Sequence, residues 1–146
     1  MLGSIATKAK AAVDLLRDAG QAVGLLRTFL FRPFPAEAFR TALTGKRGVA
    51  VIDQNLAPGS GGVLHNELAA KLYDGIGELP VLVSFIGGLG GRDIGPEEFC
   101  EMARVTLKAA EEKQSPPPRL LYTEKEWRAM KKLQAIALHQ DSEDRA

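Results

Sequence analysis

Two short apolar runs constrain this chain more than any other feature. Val49-Ala50-Val51-Ile52 breaks into Asp53-Gln54-Asn55-Leu56-Ala57-Pro58-Gly59-Ser60-Gly61-Gly62, and Val81-Leu82-Val83-Ser84-Phe85-Ile86 breaks into Gly87-Gly88-Leu89-Gly90-Gly91-Arg92-Asp93. Neither run alternates apolar with polar, so each reads as a strand covered on both faces. A helical pattern follows each loop. Leu64, Leu68 and Leu72 recur every four residues over about Val63 to Tyr73, and Pro96 opens a helix to about Lys113 with Phe99, Met102, Ala103 and Ala110 on one side. Strand and helix in alternation predict a mostly parallel sheet with helices on both faces, so the fold class is α/β, a three-layer α/β/α sandwich.

The flanks extend the pattern. Ser4 is placed to cap a helix from Ile5 to Ala19, with Ala9, Ala12, Val13 and Leu16 as its buried stripe and Gly20 as its stop. Residues 23–29 read as a further buried strand, which with 49–53 and 81–86 makes at least three. Pro33 and Pro35 stop it, and Pro35 opens a short helix to about Leu43. Gln114 to Pro118 reads as a stiff spacer. Beyond it Thr123 and Glu126 have the spacing of a capping box for a last helix to about His139, whose stripe is Trp127, Met130, Leu133 and Ala137. Residues 141–146 are expected to fray. The chain thus divides into an α/β domain over 1–113, a proline-rich spacer over 114–118 and a helical extension over 119–146.

The charge and cysteine counts exclude several classes. A net charge of +1 over 146 residues gives no general attraction to nucleic acid or anionic membrane. The charge is uneven: residues 1–47 hold eight Lys/Arg against three Asp/Glu, and residues 48–113 hold five against ten. This fits two differently solvated faces or a docking surface that meets a partner by charge. A single cysteine, Cys100, cannot form an internal disulfide or hold an iron–sulfur cluster, and it fits a reducing cytoplasm. No apolar run spans a bilayer, and the amino terminus lacks the apolar core of a signal peptide.

The loops at the strand ends carry the candidate site, since ligands and partner surfaces meet open α/β sheets at that edge. Gly59, Ser60, Gly61 and Gly62 before a helix are candidates for an anion cradle or for close packing against a neighbour. Their spacing matches neither established phosphate-loop pattern. Asp53 and Asn55 end a strand, where an acid could work or simply form a turn. Gly90 and Gly91 precede Arg92, suited to a bidentate pair with a carboxylate, and Asp93, suited to holding its own loop. No catalytic residue and no metal site is assigned: His65 and His139 are far apart, and no nucleophile–base pattern stands out.

Three ordered blocks carry a resemblance. Arg32-Pro33-Phe34-Pro35, then Asp53-Gln54-Asn55 with Pro58-Gly59 and Gly61-Gly62, then Gly87 to Ile94 resemble the C-terminal transketolase-like domain of the α subunit of pyruvate and other 2-oxoacid:ferredoxin (flavodoxin) oxidoreductases. Two mild departures are Gln54, where the family often has arginine, and Gly95, where it often has threonine. Met1-Leu2 before Gly3-Ser4 is similar to the end of the family domain's first strand, so that strand reads as truncated. The resemblance implies a non-catalytic domain or small subunit whose glycine loops face the rest of an enzyme. Thiamine diphosphate, magnesium, iron–sulfur clusters and coenzyme A are implied for the full complex, none bound by this chain alone. Ferredoxin is implied as an indirect partner. A stand-alone nucleotide- or anion-binding module at Gly59–Gly62 is the rival reading.

Overall fold

The structure is a computed structural model that describes residues 1, 3, 5–57, 59–73, 78–123, 125–129, 131–133 and 135. Ser4, Pro58, Met130, Ala137, His139 and residues 141–146, all used in the sequence reading, lie outside the described residues. In chain order come α1 (Ile5–Asp18), α2 (Ala36–Leu43), β1 (Gly48–Asp53), α3 (Val63–Tyr73), β2 (Val81–Ile86), a 3-10 turn (Leu89–Gly91), α4 (Pro96–Glu112) and β3 (Arg119–Leu120). The three strands form one all-parallel sheet in the order β1-β2-β3.

The apolar runs become β1 and β2 because both of their faces are covered. On one face, Ile52, Val83 and Phe85 pack with Ala9 and Ala12 of α1 and Phe99 and Met102 of α4. On the other, Val51 packs with Phe39 and Leu43 of α2 and with Leu64, Leu68 and Leu72 of α3. This is the expected α/β/α arrangement. Each fully buried Leu or Phe in these layers contributes about 1.5–3 kcal/mol.

Local chemistry sets the ends of α4. Pro96 occupies its first turn together with Glu97 and Glu98, which suit the positive end of the helix dipole. Glu98 accepts the Gly95 N–H at 2.8 Å. Lys113 ends the helix in the left-handed region at φ 52°.

Two features differ from the sequence reading. Residues 23–29 do not form a strand: no regular structure spans residues 21–28. A strand exists only where a neighbour accepts and donates along its length, and among the described residues the backbone bonds of this kind join it to Met1. The Met1 ammonium donates to the Leu26 carbonyl at 3.3 Å, and the Thr28 N–H donates to the Met1 carbonyl at 3.2 Å. The third strand comes instead from residues 119–120, beyond the prolines, where Phe85 pairs with Arg119 and Ile86 with Leu120. Two residues show no periodicity, so sequence pattern could not reveal them.

The tail is therefore joined to the sheet. Ser115 Oγ donates to the Leu82 carbonyl at 2.5 Å, and the Leu121 N–H donates to the Ile86 carbonyl at 2.8 Å. Arg92 closes the junction. It donates to the Leu121 carbonyl and pairs with Glu98 and Glu126, each at 3.0 Å. Glu126 also accepts the Thr123 N–H at 2.7 Å, which completes the capping box that the Thr123/Glu126 spacing predicts.

That network makes the tail sensitive to acid. The Thr123 N–H, then the Thr123 hydroxyl, with Arg92 adding, hold the Glu126 carboxyl below its ordinary value of 4.5 against some desolvation. A carboxyl depressed in the folded state stabilises fully above its unfolded value, and the contribution is lost as pH falls through the folded value. Emission of Trp127, the chain's one tryptophan, should therefore change as the solution is acidified below pH 4.5, when its contact with Tyr122 loosens. Glu126→Gln should show the loosened emission at neutral pH and no acid step. Constant emission across that range in the parent chain would refute the clamp.

Candidate functional site

The loops after β1 and β2 lie side by side at the carboxyl edge of the sheet. Asp53 and Ile86 are register partners, and the Gly87 N–H donates to the Asp53 carbonyl at 3.0 Å.

Asp53 organises the first loop. It is the last residue of β1, and it is 3% exposed. Its Oδ1 accepts the Leu64 N–H at 2.8 Å and its Oδ2 accepts the His65 N–H at 3.1 Å. Asn55 Oδ1 accepts the Val63 N–H at 3.1 Å, and the Asn66 N–H donates to the Gly62 carbonyl at 3.1 Å. Three of the N–H groups that a helix start leaves free, those of Val63, Leu64 and His65, are thus engaged by Asn55 and Asp53. Proximity explains Gly62: a Cβ there would lie 2.1 Å from Asp53 Oδ2.

Gly59, Ser60 and Gly61 form the outer turn. The Ser60 and Gly61 N–H groups both donate to the Ala57 carbonyl. Asn66 ties the turn to α3 by donating to the Ser60 carbonyl at 2.8 Å and to its hydroxyl at 2.7 Å. Asn66 was not among the residues that sequence reasoning singled out. Its signal was only a polar side chain one turn into an otherwise leucine-lined helix. Leu56 and Leu89, 47% and 40% exposed, were missed as well. Each interrupts a glycine-rich loop with a large apolar side chain.

The second loop is held from two sides. A Cβ at Gly87 would lie 2.7 Å from Leu121 Cδ1, so this glycine makes room for the docked tail. Gly90 and Gly91 are exposed. Arg92, 14% exposed at its side chain, is engaged within the chain by Glu98, Glu126 and Leu121. Asp93 accepts from Lys8 of α1 and from the Ile94 N–H, and the Lys8 bond leads in holding its carboxyl below the usual range. The structure thus brings Asp53, Asn55 and Gly59–Gly62 together around the start of α3, and sets Gly90–Asp93 beside them around the start of α4.

Chemically, this edge is a rigid rim. Asp53 spends both oxygens on backbone N–H groups. Among the described residues, no three of His, Cys, Asp and Glu come together to hold a metal ion, and Cys100 is the only thiol. Among the described residues no side-chain group would hold the magnesium of thiamine diphosphate, and a single thiol would not hold an iron–sulfur cluster, so no chemistry of those groups is assigned to them.

Comparison with known proteins agrees with the three-block resemblance at the level of the pyruvate:ferredoxin oxidoreductase family. Residues 1–99 match the family model described as pyruvate:ferredoxin oxidoreductase core domain II. The chain is 42% identical over 105 residues to pyruvate synthase subunit PorA of Methanothermobacter thermautotrophicus, covering 72% of this chain and 26% of that protein. It is 41% identical over 98 residues to the subunit of the same name from Thermotoga maritima, covering 67% and 25%. To ketoisovalerate oxidoreductase subunit VorA of Pyrococcus horikoshii it is 37% identical over 110 residues, covering 75% and 28%. The chain spans about a quarter of the length of these curated relatives.

The Asp53 cap yields a quantitative expectation. Asp53→Ala leaves the Leu64 and His65 N–H groups without acceptors, one of them buried, and should cost about 2–4 kcal/mol. Gly62→Ala should cost a similar amount, because the added methyl displaces the same carboxylate. In urea titrations the double variant should lose much less than the sum of the two. Simple additivity would show that Gly62 is not there for Asp53.

Proposed function

The chain belongs to the pyruvate:ferredoxin oxidoreductase core domain II family, and we propose that it serves as a non-catalytic domain or small subunit of a 2-oxoacid:ferredoxin oxidoreductase. Its part is to supply an inter-subunit surface at the edge of the active cleft, in the position of a transketolase-like C-terminal domain. The whole assembly would oxidatively decarboxylate pyruvate or a related branched 2-oxoacid to the acyl-coenzyme A. The substrate pair follows the names of the relatives, pyruvate synthase and ketoisovalerate oxidoreductase.

The observation that carries this reading is the rim itself. Gly59, Ser60, Gly90 and Gly91 are exposed there, with Leu56 and Leu89 presented between them. Apolar side chains on turns held by internal hydrogen bonds suit a surface that docks without rearranging. Against the rival anion-binding reading stands the engagement of the Val63, Leu64 and His65 N–H groups by Asn55 and Asp53.

Purification of the chain from its native cells, followed by mass spectrometry, tests the assembly. Subunits with thiamine-diphosphate and cluster-binding sequences should come along, and a chain that returns alone in several conditions would sink the proposal. A second expectation concerns the rim. Leu56→Asp with Leu89→Asp should weaken assembly at least tenfold while the unfolding midpoint moves little, because both side chains are partly in solvent already. Equal assembly by the double variant would place the interface elsewhere.

A further inference from the structure

The tail leaves the domain as a helix that projects into solvent. Residues 125–129, 131–133 and 135 are helical, and the Trp127 N–H closes the first turn on the Thr123 carbonyl at 2.9 Å. Glu126 faces the domain, where it pairs with Arg92 at 3.0 Å. Leu133 follows it two turns later, within about 20° of the same face of the helix. Leu133 is nevertheless 67% exposed, so over about 10 Å the helix has run clear of the domain. Every described residue from 127 to 135 is exposed. A short helix with so little cover is marginal in water, where isolated helices need roughly 12–15 residues or a packed face.

The side turned toward the domain is apolar and its flanks are positive. Trp127, 46% exposed, and Leu133 lie on that side, and the Trp127 ring is 6.3 Å from that of Tyr122. Lys131 and Lys132 lie at least about 120° round the helix from Glu126, with Lys131 Nζ 5.1 Å from the centre of the Trp127 ring. Residues 119–133 hold five Lys/Arg against two Asp/Glu, and Glu126 is already spent on Thr123 and Arg92. The tail reaches this helix across the rim. A Cβ at Gly61 would lie 3.5 Å from Pro118, and one at Gly87 would lie 2.7 Å from Leu121.

We propose that the helix seats in an apolar groove with an acidic border on a neighbouring subunit, Trp127 and Leu133 entering the groove and Lys131 and Lys132 meeting the carboxylates. This rests on the subunit reading above and adds the chemistry of the partner. Position selects a protein. The loop that presents Leu89 ends at Arg92, which reaches both Glu98 and Glu126, so a subunit seated on the rim meets the first turn of the helix and fills the corner beyond it. Charge selects the sign of that subunit's surface. A net charge of +1 on the whole chain gives an extended anionic membrane little hold, whereas the excess of cations in the tail suits a local acidic patch.

Zero-length carbodiimide coupling, which joins a lysine amine to a carboxylate in contact, tests this on the assembly captured from native cells. Peptide mapping should find Lys131 or Lys132 joined to an Asp or Glu of a subunit with thiamine-diphosphate- or cluster-binding sequences. Hydroxyl-radical oxidation of Trp127 should be at least fivefold slower in the assembly than in the 146-residue chain alone. Trp127→Ala with Leu133→Asp should lower capture at least tenfold while the melting temperature of the free chain moves little, because neither side chain is buried. An assembly that forms with Trp127 oxidised at the free rate would overturn the inference and leave the subunit reading standing. A chain that returns alone would overturn both. Protection of Trp127 by phosphatidylglycerol vesicles, or by self-association of the chain, with none in the assembly, would make a lipid surface or a second copy the occupant and overturn the inference.

Discussion

The buried carboxylate of Asp53 is the interaction on which the rest of this molecule rests. A strand ending at a helix start leaves a charge and a set of free N–H groups in one place. Buried apart, each would cost several kcal/mol. Together they satisfy one another, with both Asp53 oxygens on the first turn of α3. Gly62 is the condition for this, since any side chain there would meet the carboxylate. The outer turn and the leucine face of α3 then follow in fixed orientation. What looks in sequence like a phosphate loop is a helix cap drawn from the preceding strand.

The two edges of the sheet are treated differently. At the β3 edge, two residues of tail pair with β2 and are locked by Arg92, which reaches Glu98 at the start of α4 and Glu126 in the tail. An arginine with 14% exposure and two carboxylate partners joins loop, helix and tail in one contact. At the β1 edge nothing comparable occurs among the described residues. Met1 makes one step of a ladder with residues 26–28, and a slot of about 400 Å³ remains beside it. An open edge backed by two apolar cores is a costly surface to leave in water.

Much of the fold was legible in the sequence where one pattern decided the outcome. The apolar runs of β1 and β2, the leucine spacing of α3 and the proline at the start of α4 each predict their element within a residue or two. The failures share a cause. Residues 23–29 have strand composition, but a strand is a relation between two segments, and composition cannot say whether the neighbour is present. Arg119-Leu120 lacks strand length and pairs only because Arg92 and Ser115 hold the tail against β2. Asp53, Asn55 and the glycines could be named as candidates from the sequence because loops between strand and helix are few. Asn66, Leu56 and Leu89 were missed because their roles depend on the direction a side chain takes.

These constraints bear on why so little chemistry resides at this edge. A catalytic acid must change its protonation or its partners during turnover. Asp53 cannot do so without releasing the start of α3. Arg92 is tied in the same way, because loosening it frees the tail. The side chains best placed for chemistry are therefore committed to holding two adjacent turns in shape. Exposed there are Gln54, Asn55, Ser60 and Asp93 together with Gly59, Gly90, Gly91, Leu56 and Leu89. In the proposed role as a docking surface, turns already held by internal hydrogen bonds would lower the ordering cost of association.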